Sequence, residues 1–316
     1  MPVKEPLQLG LMIRFGGMAL PAGRVVHWSE NRQMVKLAED VGFNTLWVDD
    51  HLIYRKSHRI ILEEGESRGV WEAFTLLSAI AEATTRVTMG PFVACTSFRN
   101  PTLLAKMADT IDDISGGRFI LGLGAGWNEP EYLAYGYPFD HLASRFDEAL
   151  QIITALLQTG HVDFQGTYYQ ARDCELLPRG PRPTGLPIWI GAKGPRMLGL
   201  VAKYAQAYNS VWHVETDQLD EPFGNARAAC VAAGRDPATM RWTSGSYIRL
   251  EGYDLPVPPG TPRRLTGSYD DIAQRLHEFH LAGASHMTVS LEPYTTDGLE
   301  RFARVIEKLR ALEAKG

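Results

Sequence analysis

The chain has 316 residues, 45% hydrophobic and 22% charged, the balance of an ordinary folded globular protein and not of a disordered one. A net charge of -5 without a Lys/Arg block excludes a basic nucleic-acid face, and no apolar run reaches the roughly 20 residues of a membrane helix. Cys95, Cys174 and Cys230 are far apart without C-x-x-C spacing, which excludes a zinc ribbon or redox dithiol; with no apolar signal core at the N-terminus, the expectation is cytoplasmic.

In chain order, Leu7, Leu9, Leu11 and Ile13 alternate as a strand, and Ser29 is placed to cap a helix ending at Val41 before Gly42. Thr45 to Val48 is the second strand, followed by Asp49-Asp50-His51 and a polar loop, then a helix over 71–83. Val87 to Ala94 reads as a third, continuous strand, and Pro101 opens a helix reaching Ile114. Phe119 to Leu123 is the fourth strand, running into the glycine loop Gly122-Leu123-Gly124-Ala125-Gly126 and then Trp127-Asn128. An amphipathic helix over 142–158 precedes a hairpin turning at Gln165-Gly166. Strands at 188–190, 207–211, 241–250 and 286–291 then alternate with helices at 195–204, 219–233, 269–282 and 298–314.

Eight strands alternating with eight helices predict a (β/α)8 TIM barrel, a single domain over 1–316 with a hairpin insertion near 161–175 and a loop insertion near 252–267. A doubly wound sheet fits less well. The first βα turn lacks G-x-G-x-x-G, and Trp127 stands where its third glycine would fall in GLGAGW. Functional residues of such barrels gather at the C-terminal strand ends.

Three constellations carry chemistry. His51 follows a strand end, where an imidazole can exchange a proton. Gly191-Ala192-Lys193-Gly194-Pro195 passes from a strand into a helix N-terminus, whose free N–H groups suit an anion such as phosphate. The segment after the glycine loop mixes Trp127, Asn128, Glu129, Glu131, Tyr132, Tyr135 and Tyr137, with Trp127 and Asn128 nearest the loop. No metal-ligand spacing and no G-x-S-x-G nucleophile motif occurs, which favours an organic cofactor carrying the hard chemistry.

WVDDHL, ACTSFRNP, SGGRFILGLGAGWNEPEYLAYGYPF and PIWIGAKGPRML together resemble the luciferase-like monooxygenase superfamily, over essentially the whole chain. GAGWNEPEY leans toward the branch using the deazaflavin coenzyme F420; the alternative is the branch using reduced FMN. The resemblance implies a phosphate on Gly191 to Pro195, Asp50 contacting the ring, His51 at its reactive edge, Cys95 behind it, and Ala125, Gly126 and Asn128 in the cofactor wall. It also implies a non-proline cis peptide in the third strand, at Phe92-Val93, and a homodimer.

Relatives acting on sugar phosphates carry a glutamate where this chain has Trp127, so sugar-phosphate oxidation is not expected. Trp127, Trp212, Trp71 and Phe15 are expected to line a pocket for a small uncharged or aromatic substrate. The expected function is hydride transfer between F420 and that substrate, with His51 handling a proton. The competing readings are an FMN-dependent monooxygenase and a cofactor-binding protein without turnover.

Overall fold

The computed structural model of the chain describes residues 5–16, 24–182, 184–253 and 262–315. Each strand sends alternate side chains into the barrel lumen and outward to the helices. In hydrogen-bonded order the parallel strands are Thr88–Pro91, Thr45–Val48, Gln8–Met12, His286–Glu292, Arg241–Arg249, Ala207–Asn209, Ile188–Gly191, Leu121–Gly124 and Ala94–Cys95. The first and last of these are successive pieces of one strand, and a parallel bridge between Met89 and Phe119 closes the ring. The chain is therefore a (β/α)8 barrel whose third strand, read from sequence as continuous, is divided at Phe92-Val93. That peptide is cis, as is Val211-Trp212 at the end of the sixth strand.

Met12, Trp47, Ile120, Trp189 and Ala207 fill the lumen, with Phe92 and Trp212 packed on them from the C-terminal end. The indole Nε1 of Trp47 donates to His286 Nε2 at 3.1 Å. Burial pushes the His286 pKa down to about 3, so the ring is a neutral acceptor. Outward residues such as Leu9, Leu11, Leu46 and Val48 join Leu104, Phe146 and Phe302 of the helices in the larger core.

Several local features depart from expectation. The first helix is Trp28–Asp40, with His27 at the cap position and its N–H donating to Glu30, so Ser29 is not the cap. The stretch read as a polar loop holds an antiparallel hairpin, Ile53–Arg55 with Ser67–Gly69, and a short helix spans Glu129–Tyr135. A hairpin pairs His161–Gln165 with Gln170–Glu175. Its turn docks on the helix Leu142–Thr159 because Glu148 accepts the amide hydrogens of Thr167, Tyr168 and Tyr169. Of the loop expected near 252–267, residues 254–261 lie outside the described residues; Arg264–Leu265 beyond them pair with Arg241–Arg249.

Candidate active site

At the C-terminal end of the second strand, His51 Nδ1 lies 2.9 Å from Glu131 Oε1, and Glu131 Oε2 accepts the Leu52 amide at 3.0 Å. A carboxylate only accepts, so Nδ1 carries the hydrogen and Nε2 is the nitrogen left for proton exchange. Burial by itself would lower the His51 pKa, but the hydrogen bond and charge of Glu131, with Asp49 and Asp50, raise it above its ordinary value. The imidazole packs against Tyr54 at 4.5 Å and meets Trp127 edge-on at 5.5 Å. Glu131 was one of seven residues after the glycine loop with nothing to single it out; the helical spacing from Pro130 onward was the signal that would have turned it inward.

Asp50 does not offer itself to a ring. Its side chain is fully buried and gripped by Arg99, which donates from Nη1 to Oδ2 at 2.8 Å and from Nη2 to Oδ1 at 3.0 Å, while the Cys95 amide donates to Oδ2 at 2.9 Å. Burial disfavours the Arg99 charge, yet Asp50 and Glu72 hold the guanidinium more firmly protonated than usual. The pair ties the second strand to the divided third one, so the Asp50 side chain has its hydrogen-bond partners within the protein.

Cys95 turns its sulfur away from the lumen, 2.8 Å from the Tyr132 hydroxyl, and burial pushes the thiol up to about 12. The glycines nearby answer to the same packing. A Cβ on Gly126, at φ +83°, would sit 1.8 Å from the Tyr132 hydroxyl and 2.6 Å from the Cys95 sulfur. One on Gly122 would lie 2.1 Å from the Pro91 carbonyl. Their spacing therefore reports close packing on Tyr132 and on the divided strand.

The aromatic residues divide. Trp212 lies 5.9 Å from Phe92 and 4.7 Å from Tyr247 across the barrel mouth. Trp127 packs with Tyr54, Ile60, Leu62 and Val70 beside His51, with the Arg59 guanidinium over its ring. Phe15, 1% exposed, belongs to the outer core, because strand alternation gives the lumen direction to Arg14. Trp71 is 45% exposed and donates to the Val26 carbonyl against His27. Neither Phe15 nor Trp71 joins the mouth as expected.

Across the ring, the fifth strand ends at Gly191, and Gly194 at φ +82° leads into the helix Pro195–Tyr204. Lys193 and Gly194 are exposed. Burial, and then the Lys193 charge, lower the His213 pKa; Ser210 Oγ lies 2.9 Å from its Nε2. Arg196 reaches Ser144 at 2.9 Å. Asn128 is fully buried with neither amide atom partnered, while Ala125 accepts the Tyr132 hydroxyl hydrogen through its carbonyl. Among the described residues no three His, Cys, Asp or Glu side chains converge on a metal position, and no helix is long and apolar enough to cross a membrane.

The chain has known relatives. Residues 7–249 match the family described as luciferase-like monooxygenase. The chain is 41% identical over 289 residues to the pyrimidine monooxygenase RutA of Klebsiella pneumoniae, covering 75% of this chain and 78% of that protein. Against RutA of Methylobacterium radiotolerans the identity is 43% over 143 residues, 44% of this chain but only 36% of the relative's length. It is 33% identical over 169 residues to 5,10-methylenetetrahydromethanopterin reductase of Archaeoglobus fulgidus, covering 54% of this chain and 45% of that protein. In fold it resembles an F420-dependent secondary alcohol dehydrogenase solved with an F420-acetone adduct, at TM-score 0.79 and 18% identity over 96% of this chain and 99% of the other. With a family match spanning most of its length and a RutA relative aligned over three quarters of it, the chain belongs to the luciferase-like monooxygenase family.

Proposed function

We propose that the chain is an oxidoreductase that binds F420 across the barrel mouth and promotes hydride exchange between the deazaflavin and a small organic substrate. The observation that carries this reading is the His51–Glu131 pair, an imidazole kept ready to hold a proton by a buried carboxylate at a strand's C-terminal end. The residues suit such a group. The helix start at Gly194-Pro195, with Lys193 and Arg196, would hold a phosphate; Phe92 and Trp212 offer aromatic faces to a planar ring. The orphaned amide of Asn128 has both a donor and an acceptor to give to a polar ring edge.

When bound, F420 supplies a two-electron hydride couple. The protein's part is to fix the ring against the lumen aromatics, exclude water with the Trp127 cluster, and hold or release the proton at His51 Nε2. Asp50 and Arg99 position the strand end that carries His51, acting through the backbone.

The 41% identity to a pyrimidine monooxygenase, aligned over three quarters of the chain, supports a second reading, an FMN-dependent monooxygenase. Equilibrium binding separates the two. Tighter binding of F420 than of FMN, with Lys193→Ala weakening F420 more than its phosphate-free ring, supports the proposal; tighter FMN binding overturns it in favour of the monooxygenase.

A further inference from the structure

Arg14 is the residue of the barrel mouth that neither the fold nor the reading above uses. It lies two residues beyond the first strand, on the lumen side set by Gly10 and Met12, and is 5% exposed. Its Nη2 donates to the Ser290 hydroxyl at 2.8 Å, whereas its Nε is buried without a partner. Its backbone is held in place: Asn31 Nδ2 donates to the Arg14 carbonyl at 2.9 Å, and Tyr294 donates to Asn31 Oδ1 at 2.7 Å.

Four other arginines of low exposure meet carboxylates, Arg99 with Asp50, Arg182 with Asp112, and Arg249 and Arg264 with Glu292, and Arg118 spends its donors on the Ser115, Val87, Ala81 and Thr84 carbonyls and the Thr84 hydroxyl. Among the described residues no carboxylate forms an ion pair with Arg14. Asp49, the acidic group at the neighbouring strand end, accepts the Tyr54 hydroxyl at 2.5 Å. Tyr247 shares this side of the mouth: burial raises its pKa, and the charge of Arg14 opposes that rise. A buried guanidinium with unspent donors and no counter-ion is costly unless something completes it.

The cofactor phosphate is not that completing group. Three strands separate Gln8–Met12 from Ile188–Gly191 in either direction around the ring, so Arg14 stands opposite the Gly191–Pro195 helix start. Between them are the aromatic faces of Phe92, Trp212 and Tyr247.

We propose that the substrate carries a carboxylate, and that Arg14, seconded by Ser290, receives it while the remainder lies against Trp212 and Tyr247. This inference rests on the reading of the mouth as the place where substrate meets cofactor, and it replaces the uncharged substrate expected from the aromatic residues alone. Arg14 thereby determines specificity, since a planar guanidinium suits a carboxylate in two-point contact.

Titration of the full chain with benzoate, followed by tryptophan fluorescence, tests it. Saturable benzoate binding is expected, with benzamide at least about tenfold weaker, and Arg14→Gln should lose at least about tenfold in benzoate affinity while its F420 or FMN affinity stays within about twofold. Absence of benzoate binding, equal binding of benzamide, or undiminished binding by Arg14→Gln overturns the proposal. Should Arg14→Gln fold poorly, Arg14→Met supplies a second reading: removal of an unpaired buried charge raises Tm, whereas a fall of several degrees marks a purely structural arginine and overturns it. Failure of the cofactor reading is distinguishable, because the unaltered protein would then bind neither F420 nor FMN, whatever benzoate does.

Discussion

Glu131 places one carboxylate oxygen 2.9 Å from His51 Nδ1 and the other 3.0 Å from the Leu52 amide, so a single buried side chain fixes both the ring and the backbone that carries it. The short helix Glu129–Tyr135 delivers it there, and Tyr132 of the same helix anchors Cys95 and the Ala125 carbonyl. One short helix therefore fixes both the His51 ring and the packing beneath the glycine loop.

Replacing Glu131 by Gln keeps the volume and removes the charge, and the His51 pKa is expected to fall. The sign follows from linkage: a histidine whose folded pKa is raised above its ordinary 6.5 contributes stability fully present below 6.5 and lost as pH rises through the folded value. The variant loses that contribution at lower pH than the unaltered protein. Titration of the His51 Cε1 proton by NMR checks this, and an unchanged or raised pKa contradicts it. His51→Ala should lower kcat by about 10²–10⁴-fold, the usual yield of a positioned acid or base.

His286 produces the opposite dependence. Its folded pKa of about 3, against 6.5 when exposed, means that the unfolded chain binds the proton first as pH falls. Stability at this site should decline by about 1.4 kcal/mol per pH unit between those two values. Comparing urea unfolding of the unaltered protein and His286→Gln at pH 6.5 and pH 4.5 tests this; an equal loss in both assigns the acid sensitivity to other groups.

Gly126→Ala should cost more than about 3 kcal/mol, since the added methyl falls 1.8 Å from the Tyr132 hydroxyl at a φ of +83°. Gly136→Ala, at φ +77° with open space around it, isolates the backbone contribution and should cost only about 1 kcal/mol. Thermal unfolding of the pair measures the difference, and equal losses would mean that Tyr132 moves aside freely.

The three thiols should differ sharply in reactivity. Cys95, with its pKa pushed to about 12, and buried Cys230, with its pKa also raised by burial, should resist iodoacetamide in the native protein, while half-buried Cys174 is alkylated. Mass spectrometry of labelled peptides reads this directly, and early labelling of Cys95 would show that the Tyr132 contact opens.

The order of the eight barrel strands and of the eight helices alternating with them was legible from the chain by itself, because apolar patterning and helix-stop glycines are local properties, whereas the hairpin at Ile53–Arg55 and the short helix Glu129–Tyr135 were not. So was the helix start at Gly194-Pro195, which needs only neighbouring residues. What tertiary structure decided were partnerships across long separations: Asp50 with Arg99, His51 with Glu131, Arg14 with Ser290. The local sequence Asp50-His51 is compatible with either residue facing a ligand. Only the Arg99 side chain, 49 positions away, shows that Asp50 is already occupied. The same holds for the glycine loop, whose spacing looks alike for close ligand approach and for a tyrosine packed beneath it, until Tyr132 is seen in the space that a Cβ would need.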